Sequence, residues 1–318
     1  MTATTGSLSL DLDNLWTYMR IHGDDGWETF PSYLDTVVPR FLEFLEERSL
    51  RITVFVVGKD ATIDANAGAL RAIADAGHEI GNHSFMHEPW LHRYSATAVD
   101  DEIARAHAAI TNATGSEPVG FRGPGFSLTP AVIQSLRRQD YVYDTTTFPT
   151  FIGPLARKYY FRSTDLTEAQ QEERGALFGS FSDGFQPNRP YVWEVDDGRI
   201  FELPVTTVPL VRVPFHFSYL LYVSGISDRM ARAYFATGLK MCRVARTGPT
   251  LLLHPLDFLG ADDAPELAFF PGMDAAASTK IERLARFVDR LTAEFSVGPV
   301  LDHAESIAAA SPKVRELR

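Results

Sequence analysis

Short apolar runs alternate with stretches of helical spacing along this chain, and that rhythm limits what it can fold into. Residues 51–57, Arg-Ile-Thr-Val-Phe-Val-Val, are β-branched and almost continuously apolar, the mark of a strand buried on both faces. Residues 7–13 alternate, as a shorter strand does. Between them Leu34, Val37, Val38, Phe41, Leu42 and Leu45 fall at helical spacing within 31–48. Residues 66–76 read as a helix closed by Gly77, and 78–80 as a short strand. Residues 96–113 read as a helix with Asp100, Asp101 and Glu102 solvated near its start. A strand at 119–122 runs into the turn Gly123-Pro124-Gly125, Thr129 caps a helix with Pro130 at its first position, and 141–144 is the next strand. Strand and helix in alternation mean a parallel sheet with helical crossovers. Residues 148–198 interrupt the rhythm with prolines, glycines and aromatics. It resumes with strands at 200–205 and 250–254, helices at 228–246 and 280–295, and a last short strand at 300–301. The expectation is a single α/β domain over 1–318, with an aromatic-rich insertion at about 148–198.

The totals narrow the function. A chain of 318 residues, 45% hydrophobic and 22% charged, has a globular composition and room for one large barrel domain. A formal net charge of -11 argues against a nucleic-acid partner and, more weakly, against an anionic membrane surface. The single cysteine, Cys242, permits neither an intrachain disulfide nor a cysteine metal site and reads as a small buried hydrophobe. No run of 18 apolar residues is present, so no integral membrane segment is expected. The first residues have neither the basic nor the apolar region of a secretory signal, and a cytoplasmic location is expected.

The chemistry-bearing residues fall at the C-terminal ends of the expected strands, where parallel barrels build their active sites. His83 and His87 follow the strand at 78–80; on a helical turn, residues four apart share a face and both imidazoles can reach one ion. Asp11 and Asp13 flank Leu12 and point to the same side of their strand. Two close carboxylates repel, and a metal held by one of them leaves the other free as a base. Arg122, in its Gly-Pro-Gly turn, is placed to clamp a carboxylate bidentately. His254 closes a buried strand and is a candidate general acid, with Asp257 placed to orient it.

These motifs, Asp-x-Asp, His-Ser-x-x-His, Arg-x-Pro-Gly, Tyr-Asp-Thr-Thr and Leu-x-Leu-His, resemble those of the polysaccharide deacetylases, carbohydrate esterase family 4, with the NodB homology domain. The stretch Gly77-His78-Glu79-Ile80-Gly81-Asn82-His83-Ser84 is especially similar. The resemblance implies a distorted, TIM-barrel-like (β/α) barrel, usually of seven strands. It implies that Asp11 is the catalytic base, that Asp13, His83 and His87 hold the metal, that Arg122 orients the base and that His254 is the acid. Asp144 corresponds to the acid of the fourth motif, Pro124 belongs to the arginine turn, and Leu253, with Leu251, walls the acyl pocket. Three departures stand out: Leu12 separates the two aspartates, the fourth motif reads Asp144-Thr145-Thr146-Thr147, and the first residues lack the pattern of the signal sequence that secreted members carry.

The implied activity is a metal-dependent hydrolase that removes an N-acetyl group from an amino sugar, free, nucleotide-linked or lipid-linked, and releases acetate. One divalent ion is implied, zinc first, with cobalt, nickel, manganese or iron as substitutes. The alternatives are a deformylase, or a hydrolase of a non-sugar amide or cyclic imide, on the same site. A carbohydrate-binding barrel without catalysis is a third reading, which the complete set of base, ligands and acid argues against. The aromatics of the insertion, among them Phe148, Phe151, Tyr159, Tyr160, Phe161, Tyr191 and Trp193, offer either stacking surfaces for substrate or packing against the barrel.

Overall fold

The computed structural model describes residues 4–153, 181–195, 198–310 and 312–317. Strands β1 (Thr5–Leu12), β2 (Thr53–Val56), β3 (Glu79–Asn82), β4 (Gly120–Phe121) and β5 (Tyr143–Asp144) pair in parallel, each beside the next. Next in the chain come β6 (Tyr191–Val195), β7 (Gly198–Glu202) and β8 (Thr250–Leu253). β7 extends the parallel series beyond β5, and β8 extends it beyond β1, so seven parallel strands follow one another around the sheet. β6 folds back antiparallel on β7. The short strands β9 (Ser296–Gly298) and β10 (Lys313–Glu316) add to β1 and β6.

β7 and β8 are not paired as strands. The chain leaving β7 reaches β8 through the Thr206 amide, which donates to the Thr250 carbonyl at 2.9 Å, and the Thr250 amide returns a bond to Thr206 Oγ1 at 2.8 Å. The sheet is therefore a distorted α/β barrel with a seam, as the motifs implied. Large rings fill its interior because facing positions are glycine. A Cβ at Gly81 would lie 2.4 Å from the Phe55 ring, and one at Gly120 would lie 1.9 Å from the ring of Tyr143.

The helices are α1 (Leu15–His22), α2 (Leu34–Glu46), α3 (Ala67–Asp75), α4 (Ala96–Thr114), α5 (Pro130–Arg138), α6 (Phe217–Ile226), α7 (Asp228–Ala245), α8 (Ala277–Glu294) and α9 (Val300–Ala308). α2 forms where its spacing predicts, burying Leu34, Val37, Val38, Phe41, Phe44 and Leu45. Each such side chain removed from water stabilises by about 1.5–3 kcal/mol. Cys242 is buried in the core, as expected.

Several boundaries differ from the expectation. Residues 300–301 open α9 rather than form a strand; the strand lies just before, at β9, and Pro299 precedes the helix. α1 was not expected: eight residues carry too little periodicity to stand out, but Asn14 Oδ1 caps them by accepting from the Leu15 amide. Glu102 is buried, not solvated; its Oε1 accepts from the Met86 amide, so the first turns of α4 hold the loop after β3. Tyr159, Tyr160 and Phe161 lie outside the described residues.

Candidate metal centre and catalytic site

The strand register assembles the site. Leu12 pairs with Val56 and Val56 with Asn82, so Asp13 and His83, the next residues, stand level two strands apart. Asn82 pairs in turn with Phe121, which brings Arg122 to the same level. Leu10 pairs with Leu253, so Asp11 and His254 are level on the other side. Ser9, Asp11 and Asp13 share one face by strand alternation.

Asp13 Oδ1 lies 3.2 Å from His83 Nε2 and 3.0 Å from His87 Nε2, and all three residues are buried. The three ligand atoms lie within 4.8 Å of one another, and they are the one such group among the described residues. Asp13 Oδ1 makes no hydrogen bond of ordinary geometry despite these short distances. A buried anionic oxygen facing two imidazole nitrogens, with no bond of its own, is a donor set that fits a divalent cation.

The surroundings aim each ligand. His83 Nδ1 donates to the Arg122 carbonyl at 2.6 Å, which turns Nε2 toward Asp13. The Tyr18 hydroxyl donates to Asp13 Oδ2 at 3.2 Å, and Tyr33 donates to the Asp13 carbonyl. Burial alone would raise the Asp13 carboxyl, but the two imidazoles, the charge of His87 foremost, outweigh it and hold it well below the usual range. Burial works the other way on His83, where the close carboxylate of Asp13 and the charge of Asp11 prevail and raise its pKa.

The two histidines do not converge on a helical turn. Residues 83–87 form a loop after β3 in which Ser84 (φ 63°) and His87 (φ 52°) adopt left-handed backbone. Such conformations cost non-glycine residues on the order of 1–3 kcal/mol each and persist where the surroundings fix them. Here the Ser84 amide donates to Asn82 Oδ1 at 2.9 Å, and Glu102 accepts the Met86 amide at 2.6 Å. Arg20 adds a bond to the Met86 carbonyl at 2.9 Å and an ion pair with Glu88 at 2.5 Å.

Asp11 is held by Arg122, which is fully buried. The clamp is single rather than bidentate: Nη1 donates to Asp11 Oδ1 at 2.6 Å and to Ser9 Oγ at 2.9 Å. The rest of the guanidinium is spent on Thr145, with Nε on its carbonyl at 3.1 Å and Nη2 on its hydroxyl at 3.0 Å. The second threonine of the fourth motif, Thr146, accepts the Gly123 amide at 2.8 Å, so this motif fixes the arginine turn. Pro124 is buried in that turn.

His254 follows β8, whose Leu251 and Leu253 are fully buried. Asp257 supports His254 through the backbone rather than the ring, accepting the His254 amide at 2.8 Å. The ring is oriented by Ser218 of α6, whose Oγ lies 3.0 Å from His254 Nδ1, and Ser218 is in turn bonded to Asp257. No sequence motif marked Ser218, which comes from an aromatic run 36 residues upstream.

Asp144 is fully buried and accepts from the Thr146 amide at 2.9 Å and its hydroxyl at 2.6 Å. Its close partner is Glu202, which sequence reading missed. Burial, then the neighbouring charge of Asp144, pushes Glu202 well above the usual range. Trp193 is not brought to the triad. It lies on β6, donates to Glu202 Oε2 at 3.2 Å and packs against Tyr191 and Arg315, so here the packing reading of the insertion's aromatics holds.

Residues 21–143 match the sequence profile of the Polysaccharide deacetylase family. That span contains His83, His87 and Arg122 but stops short of Asp11, Asp13 and His254. The peptidoglycan deacetylase of Helicobacter pylori is 27% identical over 128 residues, 40% of this chain and 41% of that protein. The peptidoglycan-N-acetylglucosamine deacetylase PgdA of Listeria monocytogenes is 29% identical over 113 residues, 36% of this chain and 22% of that one. The chain thus matches less than half the length of these relatives. A solved protein from Mycobacterium smegmatis, described as a candidate polysaccharide deacetylase, shares the fold with a TM-score of 0.66 at 20% identity, over 100% of this chain and 95% of that one. Residues 21–143 are thus similar to the Polysaccharide deacetylase family, and the fold is shared with the Mycobacterium smegmatis protein.

Proposed function

We propose that this protein is a metal-dependent hydrolase that removes an N-acetyl group from an amino-sugar substrate. The observation that carries the reading is the juxtaposition of two carboxylates with different partners: Asp13 faces two imidazoles, and Asp11, two residues away, faces a buried arginine. That division gives one aspartate to a cation and the other to proton transfer. The two-histidine, one-carboxylate set suits zinc, and cobalt, nickel, manganese or iron are acceptable to the same donors. When bound there, the cation supplies Lewis acidity and brings the pKa of a coordinated water down to about 7.

The chain's own residues do the rest. Asp11 receives the proton of the attacking water, and Arg122 fixes the carboxylate for that transfer. His254, with Nδ1 turned toward Ser218, presents Nε2 to the leaving nitrogen and protonates it as the carbon–nitrogen bond breaks. Water thus gives its hydroxyl to the acyl carbon and its proton to the amine, leaving acetate and a free amino sugar. Leu251 and Leu253, expected as the wall beside an acyl methyl, pair with Leu8 and Leu10 and face the helices instead; Leu252, paired with Ser9, is the leucine on the site's side of β8.

The substrate class we favour is an N-acetylated sugar that is free, nucleotide-linked or lipid-linked, processed in the cytoplasm by a single barrel domain. The test is product analysis on such a panel, each sugar in N-acetyl and N-formyl form, with metal content measured on the same preparation. Acetate release that requires the metal supports the reading. Formate release alone would replace it with a deformylase, and turnover in a metal-free preparation would refute it.

A further inference from the structure

Away from the metal triad lies a cavity of about 1150 Å³, between the last turns of α7 and the edge formed by β6 and β10. Among the described residues its lining includes five cations, Arg189, Arg212, Lys240, Lys313 and Arg315, and no carboxylate. The hydrogen bonds of the arginines go to uncharged oxygens: Arg189 to the Ala245 carbonyl at 2.7 Å, Arg212 to the Gln186 carbonyl at 3.0 Å and Arg315 to Gln186 Oε1 at 3.3 Å. Their charges are uncompensated by these bonds, on a chain whose formal net charge is -11.

The rim is apolar and points outward. Leu210 is 88% exposed, Val244 78%, Val211 57% and Val314 46%. Leu210 and Val211 sit at the tip of a tight loop closed by the bridge between Thr207 and Pro214. Leu210 (φ 75°) and Arg212 (φ 57°) both take left-handed backbone there. A strained loop that drives two aliphatic side chains into water needs a reason outside folding.

We propose that this face docks on an anionic lipid surface, with Leu210 and Val211 entering the acyl boundary and the surrounding cations meeting lipid phosphates. Apolar tips ringed by lysine and arginine are the arrangement that interfacial binding uses. A bilayer offers anionic oxygens and hydrocarbon together without shape matching, whereas an acidic protein would need its own apolar surface to seat these four side chains. The net charge opposes docking of the molecule as a whole, but a local cluster acts within a Debye length of the surface, about 8 Å at physiological ionic strength. The inference is independent of the reaction at the metal site.

The test is vesicle flotation with the full chain at low salt, using phosphatidylcholine vesicles with and without an equal share of phosphatidylglycerol. Binding should require phosphatidylglycerol and weaken as salt is raised. Glycerol phosphate, the headgroup chemistry alone, should compete poorly because it lacks the acyl boundary. Two variants at exposed positions probe the two halves of the surface. Lys240→Gln with Lys313→Gln should weaken binding about 25-fold, fivefold per charge removed. Leu210→Asn with Val211→Ser should weaken it comparably, asparagine being tolerated at positive φ. Melting temperatures equal to the parent's establish that both variants are folded. Absence of flotation, equal flotation on uncharged vesicles, or parent-like binding by both variants would overturn the proposal. So would binding of polyglutamate without binding of vesicles, which would point to an acidic protein instead.

Discussion

Asparagine at either aspartate should separate the two roles. In Asp11→Asn the triad of Asp13, His83 and His87 is untouched, so the protein should keep its metal. Turnover should fall by roughly 10²–10⁴-fold, the usual contribution of a positioned general base. That loss corresponds to about 2.7–5.4 kcal/mol of transition-state stabilisation at 1.36 kcal/mol per decade. Arg122 would lose its charged partner at 2.6 Å but keep Ser9 and both oxygens of Thr145. Stripping a buried charge of its only partner costs about 3–5 kcal/mol, and with three acceptors remaining the cost here should fall below that range. Asp13→Asn does the opposite: it removes the anionic ligand and leaves Asp11 with Arg122. Losing merely an outer partner of a ligand weakens metal binding about 10–100-fold, so losing the ligand itself should cost at least that, and excess metal should restore part of the activity. The assay is metal content by mass spectrometry and turnover on the same samples, with thermal melts to establish folding. Loss of metal from Asp11→Asn but not from Asp13→Asn would mean that the roles are exchanged. Retention of metal by both would place the ion elsewhere and refute the site.

Chelation should abolish turnover, and zinc or cobalt should restore it; assays before and after dialysis check this. His254→Ala should keep the metal yet lose turnover by roughly 10²-fold or more, as removal of a general acid does. Ser218→Ala should lose less, since it removes the partner of Nδ1 and leaves the imidazole itself in place. Gly81→Ala should destabilise the barrel by about 1–3 kcal/mol, the common cost of overpacking, because its Cβ would lie 2.4 Å from Phe55; denaturant titration reads this. His303, whose pKa burial lowers to about 4, stays neutral in the folded protein while the unfolded chain takes up a proton below about pH 6.5. Stability should therefore fall as pH drops from about 6.5 to 4, by about 1.4 kcal/mol per unit from this residue, and His303→Asn should flatten that dependence in melts across the range.

The repeating layers were legible because burial writes itself into composition: the apolar run at 51–57 and the spacing in α2 leave few other arrangements. Strand alternation likewise placed Asp11 and Asp13 on one face, and the level of each site residue follows from the register. What stayed hidden depends on backbone conformation or on distant chain. Nothing in His-Ser-Phe-Met-His announces two left-handed residues, so a helical turn was the natural expectation. Glu102 reads as a solvated helix acid until β3 and α4 come together and the Met86 amide finds it. Ser218 and Glu202 reach their partners only through the fold. Trp193 has the side chain of a stacking platform, and only the pairing of β6 with β7 reveals that it packs at the sheet edge instead.

The loop that carries His83 and His87 is anchored from several directions, by Asn82 beneath it, by Glu102 on α4 and by Arg20 on α1. The fold itself therefore bears the entropy of gathering the ligands. In small metal-folded domains the ion's binding energy is folding energy, and removing it unfolds the chain. Here the demetallated protein should remain folded and reload quickly without refolding. The gap between the melting curves of the two forms then becomes a gauge of affinity, widening with free metal as RT ln(1 + [metal]/Kd), and a stripped sample can be titrated with one candidate ion after another to learn which this cradle prefers.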